Sequence, residues 1–167
     1  MEPLFTPKQL DLQIKIVAKQ INDEHRGDNT PIIFVGLLNG CFMFFSDLVK
    51  NIDFNIECDF MRVKSYHGKT QGDIQITKDL ETPIKGKHVY LIDDFYDSGN
   101  TMEYVIEYLK VKKPKSVSIA TLLTRETSPI PKIPSYHAFT IKDEWVVGFG
   151  LDGGRGYYRN YPTVYKM

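Results

Sequence analysis

The chain has 167 residues, enough for one domain with its own core, and is read as a single domain over 1–167. Lys+Arg and Asp+Glu number 21 each, so no net charge draws it to a nucleic acid or a membrane surface. Two cysteines, Cys41 and Cys58, are too few for a disulfide framework; both sit in apolar runs and read as reduced core thiols. The N-terminal MEPLFTPKQL lacks a basic region followed by an apolar stretch, and the apolar run at 41–45 is too short to span a bilayer. A cytoplasmic setting without membrane contact is the expectation.

The first helix begins at Thr6, a capping residue, with Pro7 in the first helical position and Gln9 completing a capping box. Leu10, Ile14, Val17, Ala18 and Ile21 share one face, and Gly27, Asp28 and Asn29 end the helix. Residues 31–38 (PIIFVGLL) are almost wholly apolar, as in a strand buried on both faces of a parallel sheet. Asn39-Gly40 turns the chain into an apolar helix over 41–51, and 56–65 is a second strand. Residues 66–73 (YHGKTQGD) read as a polar, glycine-rich mobile loop before a short strand at 74–79. A third buried strand, 88–92, ends at Asp93-Asp94; a loop over 97–101 leads into a helix over 102–112, and 116–124 is the fourth strand. Pro129, Pro131 and Pro134 punctuate a loop, and strands are expected at 136–141 and 146–151. This alternation of strands and helices predicts an α/β fold with a mostly parallel sheet.

Ligands of open α/β sheets sit outside the carboxyl ends of the strands. Three segments lie there: Leu38-Asn39-Gly40, the run DDFYDSGNTM, and Thr124-Arg125-Glu126. The acid-rich run carries three carboxylates in five residues, then small residues opening a helix. Such a turn presents free backbone N–H groups and the positive end of a helix dipole to a phosphate. The carboxylates can hold sugar hydroxyls, a magnesium ion or a proton in transit. The plainer alternative is that Asp93 and Asp94 merely end a strand while Ser98 caps a helix. No G-x-x-x-x-G-K-[ST] is present, which excludes a P-loop. A receiver domain would carry its acid pair after the first strand, not the third.

The stretch VYLIDDFYDSGNTM resembles the phosphoribosyl-pyrophosphate motif of the type I phosphoribosyltransferases: an apolar strand, two acids, two bulky residues, then Asp-Ser/Thr-Gly-x-Thr. VGLLNGCFMFFSDLV, ECDFMRVKSY, ITKDL and KDEWVVGFGLDGGRGYYRNYP look like successive segments of the hypoxanthine-guanine branch, collinear over about residues 5 to 165. The resemblance implies a mostly parallel central sheet flanked by helices, with a small hood formed by terminal segments. It implies Mg2+-dependent transfer of a 5-phosphoribosyl group from phosphoribosyl pyrophosphate to hypoxanthine or guanine, in a homodimer or homotetramer that takes no nucleic acid.

By the same resemblance, Asp93 and Asp94 would hold the ribose hydroxyls and help site the metal, and Asp97 would be the acid near the purine N7. Ser98, Gly99, Asn100 and Thr101 would cradle the 5-phosphate. Leu38, Asn39 and Gly40, with a non-proline cis peptide, would form the pyrophosphate loop, and Arg159 would reach the pyrophosphate. Arg125 would approach the purine 6-oxo group, Trp145 would stack on the base, and Val146 would contact it through its backbone. Asp152 would sit near the metal and the purine 2-position, and Ser65 and Tyr66 would begin a closing loop. Four departures stand out. The family has Glu-Asp at Asp93-Asp94, Lys at Arg125, Lys or Arg at Asn39, and larger residues within GLDGGRG. A xanthine-preferring relative, and a non-catalytic nucleotide sensor that binds RNA, are the alternatives.

Overall fold

The computed structural model describes residues 1–66 and 73–167. Most of the loop expected over 66–73 therefore lies outside the described residues. The elements run β1 (Glu2–Phe5), α1 (Pro7–Glu24), β2 (Ile32–Leu38), α2 (Phe42–Val49), β3 (Glu57–Tyr66) and β4 (Asp73–Lys78). They continue with β5 (His88–Tyr96), α3 (Asn100–Lys110), β6 (Ser116–Arg125), β7 (Ser135–Ile141), β8 (Val146–Val147) and β9 (Val164–Lys166).

Helix α1 starts where its cap dictates. Thr6 accepts from the Gln9 backbone N–H, and the Gln9 side chain accepts from the Thr6 N–H at 2.9 Å. The buried face is the one its 3.6-residue period predicts: Leu10, Ile14, Val17, Ala18 and Ile21.

Strands β2 to β7 form a six-stranded sheet in the order β4-β3-β2-β5-β6-β7, parallel except for edge strand β4. Side chains alternate between two cores. Phe34, Tyr90 and Ile92 pack with the apolar faces of α1 and α2. Ile33, Val35, Leu37, Val89 and Leu91 pack with Met102, Val105, Ile106 and Leu109 of α3. Both faces are covered, which is why the strands read as unbroken apolar runs; each fully buried aliphatic side chain contributes about 1.5–3 kcal/mol.

A second sheet, β1-β9-β8, joins the terminal segments into the expected hood. Phe5 of β1 stacks on Phe139 of β7 with ring centroids 3.9 Å apart, fastening this hood to the main sheet. Three details correct the sequence reading. Strands β1 and β9 are additions, since they are short and β1 contains Pro3. The strand expected over 146–151 is only Val146–Val147, after which Gly148 and Leu151 close a tight turn through reciprocal backbone bonds of 3.0 and 3.1 Å. Cys41 is buried as expected, but Cys58 is exposed and is not a core thiol.

Asp59 of β3 fixes the connection between β4 and β5. Its carboxylate accepts from the backbone N–H groups of Phe60, Glu81 and Thr82 at 2.7–2.8 Å. Burial alone would raise this carboxyl; the three N–H donors, with Lys78 nearby, outweigh it and hold it below the ordinary value. A carboxyl depressed in the folded state adds stability above its unfolded pKa, and that stability is lost as pH falls through the folded pKa. Asp59→Ala should therefore lower stability by about 2–4 kcal/mol at neutral pH, by leaving buried N–H groups unpaired. Urea unfolding of parent and variant should converge as pH is lowered from neutrality to below the ordinary aspartate range. A difference that does not shrink with acid would show the effect to be packing alone.

Candidate active site

The order of the main sheet reverses between β2 and β5: the chain steps outward from β2 to β3 on one side and from β5 through β6 to β7 on the other. The carboxyl ends of β2 and β5 thus frame the crevice where α/β sheets take ligands. The β2–β5 ladder stops at Gly36 and Ile92, while β5 goes on pairing with β6 as far as Tyr96 and Thr124. Asp93 and Asp94 consequently lie inside β5, not after it as the sequence suggested, with their β2-facing flank open. The Asp94 N–H exposed by this divergence is closed by the Asp93 carboxylate at 2.8 Å.

Strand β2 leaves the crevice through Leu38-Asn39, joined by a cis peptide bond, and then Gly40. Gly40 lies so close to Asp94 that a β-carbon would overlap the carboxylate. Gly150, at φ +97, lies in turn against the Gly40 carbonyl, leaving no room for a side chain. Within the glycine-rich stretch that departs from the family pattern, Gly150 is therefore demanded by backbone packing. Arg159 Nη1 donates to the Gly150 carbonyl at 2.6 Å, and Nη2 lies 3.2 Å from Asp152, which also accepts from the Gly156 N–H at 3.0 Å. Arg159 also places positive charge beside Asp94.

Burial, then the adjacent charge on Asp94, raises the Asp93 carboxyl well above the usual carboxylate range. Burial raises Asp94 too, against the pull of Asp93 hydrogen bonding and Arg159. Burial together with both acids pushes the Cys41 thiol up, so that it is no nucleophile.

On the α3 side, Gly99 at φ +82 occupies the cap position, and no side chain caps the helix. Helix α3 starts at Asn100, two residues earlier than expected, so Asn100 and Thr101 form its first turn. Ser98 accepts the Asn100 N–H at 3.3 Å without being the cap residue. A cavity of about 140 Å³ opens here, lined by Asp93, Tyr96, Asp97, Ser98, Gly99 and Thr101 among others.

On the third side Arg125, at the end of β6, lies over the Phe95 ring with its guanidinium carbon 4.9 Å from the centroid. Its Nη1 donates to the carbonyls of Lys142 and Glu144 at 2.9 and 3.1 Å, and its Nε lies 3.3 Å from Asp97. Trp145 follows these carbonyls and is largely exposed, while Val146 is buried in β8. Ser65 closes β3 opposite Ile74. Among the described residues nothing brings Ser65 to the acids; the Tyr66 side chain lies outside them. Sequence reasoning missed Tyr96, Glu144 and Gly150; only the positive-φ requirement at Gly150 left a trace, as a glycine.

The acids offer hard oxygen donors, the kind a magnesium ion takes. Among the described residues, Asp93, Asp94 and Asp152 do not converge as a three-donor group. A cation there must take its remaining ligands from substrate oxygens and water, the usual habit of magnesium.

The phosphoribosyl transferase domain matches residues 6–153. Hypoxanthine phosphoribosyltransferase of Escherichia coli K12 is 35% identical over 170 residues, covering 100% of this chain and 95% of that protein. Hypoxanthine-guanine phosphoribosyltransferase of Staphylococcus aureus is 39% identical over 166 residues, covering 98% and 91%. The crystal structure of the Trypanosoma cruzi hypoxanthine phosphoribosyltransferase in complex with the product IMP superimposes with a TM-score of 0.90 at 27% identity, covering 100% and 94% of the two chains. The chain belongs to the phosphoribosyltransferase family. Its place there is among the hypoxanthine(-guanine) phosphoribosyltransferases of purine salvage, which are pentosyltransferases.

The Gly40–Asp94 contact yields a direct test. Gly40→Ala must displace the carboxylate, and a misplacement of about 1 Å in a positioning group costs on the order of 10²-fold in rate. A folded Gly40→Ala protein should lose at least about tenfold in kcat/KM for phosphoribosyl pyrophosphate in steady-state kinetics. Parental kcat/KM would show that Asp94 tolerates the intruding methyl.

Proposed function

We propose that the chain transfers the 5-phosphoribosyl group of phosphoribosyl pyrophosphate to N9 of hypoxanthine or guanine, giving IMP or GMP and pyrophosphate in a Mg2+-dependent reaction. The observation that carries this is the convergence on one crevice of a carboxylate pair, an uncapped helix N-terminus and an arginine held by backbone carbonyls.

The first-turn N–H groups of α3, with the Ser98 and Thr101 hydroxyls, bind the 5-phosphate at the positive end of the helix. Asp93 and Asp94 accept the ribose hydroxyls; the cis turn at Leu38, Asn39 and Gly40, with Arg159, receives the pyrophosphate. Asp93 and Asp94, with Asp152 behind Arg159, would hold the magnesium, which when bound neutralises charge on the leaving pyrophosphate. Departure of that polyanion leaves positive charge on the ribose ring, and the paired acids supply a fixed negative field there. Asp97 takes or shares the N7 proton as N9 attacks, so no covalent nucleophile is needed. Ser65 and Tyr66 open the segment that closes over the reaction and excludes water, which would otherwise capture the cation.

Arg125 reads the base. Its Nε and Nη1 are engaged by Asp97 and the two carbonyls, and Nη2 has no hydrogen-bond partner among the described residues. That leaves one oriented donor for a 6-oxo group. Adenine presents an amino group instead, and two donors face to face leave a buried N–H unpaired. Trp145 stacks on any purine, and Val146 contacts the base through its backbone.

Two measurements test this reading. Asp97→Asn should retain substrate binding and lower kcat by roughly 10²-fold or more, the usual contribution of a placed acid–base group; a folded variant with parental turnover would remove Asp97 from the chemistry. A spectrophotometric assay with magnesium and phosphoribosyl pyrophosphate should show turnover of hypoxanthine and guanine but not adenine. In the same assay Arg125→Ala should raise KM for the oxopurines more than for phosphoribosyl pyrophosphate. Preference for adenine would overturn the assignment of Arg125, and preference for xanthine would favour the xanthine-selective alternative.

A further inference from the structure

At the opposite end of β5 from the acids, three side chains from distant points of the chain meet. His25 is the cap residue at the C-terminus of α1, Asp28 lies in the turn that follows, and His88 is the first residue of β5. One donor atom from each lies within 4.8 Å of the other two. His25 is only 8% exposed, and its Nδ1 has no hydrogen-bond partner among the described residues. The nearest carboxylate oxygen, Asp28 Oδ2, is 3.8 Å away, too far to accept a proton from it. That Oδ2 also lies 2.8 Å from His88 Nε2.

The atoms facing away from this meeting point are all engaged. His25 Nε2 pairs with the Tyr90 hydroxyl at 2.6 Å, and His88 Nδ1 with the Ser116 hydroxyl at 2.6 Å. Asp28 Oδ1 accepts the Thr30 backbone N–H at 2.8 Å. The His25 tautomer that leaves fewest buried groups unpaired carries its proton on Nε2, where the Tyr90 oxygen accepts it. Nδ1 is then a bare lone pair aimed into the cluster. Histidine ligands of metal ions are built this way: the far ring nitrogen is fixed by a hydrogen bond, which sets tautomer and ring orientation.

We infer that His25 Nδ1, His88 Nε2 and Asp28 Oδ2 form a binding site for a borderline divalent transition metal, zinc being the closest fit. Two imidazoles and one carboxylate suit zinc, cobalt or nickel and not magnesium, which takes oxygen ligands. Zinc bonds of about 2.0–2.2 Å need donors some 3–3.5 Å apart in a tetrahedron. The His25–Asp28 separation of 3.8 Å and the His88–Asp28 separation of 2.8 Å bracket that value. The adjustment falls on Asp28, which is on an exposed turn. In the metal-free protein the His88 Nε2–H donates to Asp28; the metal displaces that proton, and Nδ1–H then donates to Ser116. Lys115, bonded to Thr30 at 2.7 Å, is the positive group next to Asp28, and Glu24 is the negative group acting on His25. The site clamps the end of α1 to the start of β5, remote from the crevice, and leaves a fourth position for water.

Cobalt(II) added to the intact protein, with magnesium in excess to occupy the carboxylates of the crevice, reads the site by visible absorption; zinc then competes it off. The expected result is one equivalent bound, with a d–d spectrum of nitrogen and oxygen ligation. His88→Gln should weaken binding at least about a hundredfold, and Ser116→Ala about tenfold or more through loss of the orienting hydrogen bond. Phosphoribosyl transfer by His88→Gln within about twofold of the parent certifies its fold. Should that variant not fold, Asp28→Asn, on the exposed turn, supplies the same comparison. No binding in excess magnesium, a thiolate-to-cobalt band placing the ion on Cys58, or equal affinity in parent and variant would each overturn the site.

Discussion

Two carboxylates held side by side at the end of β5 are the constraint around which the rest of the crevice is arranged. Neither Asp93 nor Asp94 can be relieved by water alone, because burial already raises both. Their charge must be met by fixed partners. One is Arg159, whose guanidinium is held by the Gly150 carbonyl and Asp152. The same pair dictates nearby sterics. Gly40 and Gly150 must lack side chains because the β2 exit loop is pressed between Asp94 and the turn after β8. In the proposed reaction, acids so placed are matched to a substrate that develops positive charge and would arrive with a metal-bound polyanion.

Much of this was legible in the sequence, for local reasons. The capping box at Thr6 and Gln9, the buried face of α1, and the apolar strands β2, β5 and β6 are set by patterns of a few residues. The acid-rich run is equally local, and its match to the family motif located the crevice. The end of β5 was misjudged because Asp93 and Asp94 look like strand breakers. Pairing with Thr121, Leu123 and Thr124 of β6 carries the strand through them, and cross-strand partners are invisible to a local pattern. Strands β1 and β9 escaped for the same reason, since segments of four and three residues are strands only through their pairing, β1 with β9 and β9 also with β8.

What the sequence withheld is who meets whom over long separations. Arg125 could be placed at a strand end, but not the carbonyls of Lys142 and Glu144 that orient it. The need for a glycine at position 150 became visible only with Gly40 seen beneath it. His25, Asp28 and His88 carried no motif; about sixty residues of intervening chain hide the meeting of a helix end with a strand start.

The hood divides the molecule in a way the crevice alone does not show. Its strands have four, two and three residues, and β1 pairs with β9 across almost the whole chain. Sheets so small are marginal by themselves, and contacts so distant in sequence carry a high loop-closure cost. The hood's cohesion therefore leans on a few borrowed contacts, chiefly Phe5 on Phe139 and the buried Val164. Native-state amide exchange is expected to be slower in the central β2, β5 and β6 ladder beneath the acids than in the strands of the hood. Asp93 and Asp94 thus stand on the longest ladder of the protein, and Trp145 and Val146 stand at a sheet with far less of its own to hold it.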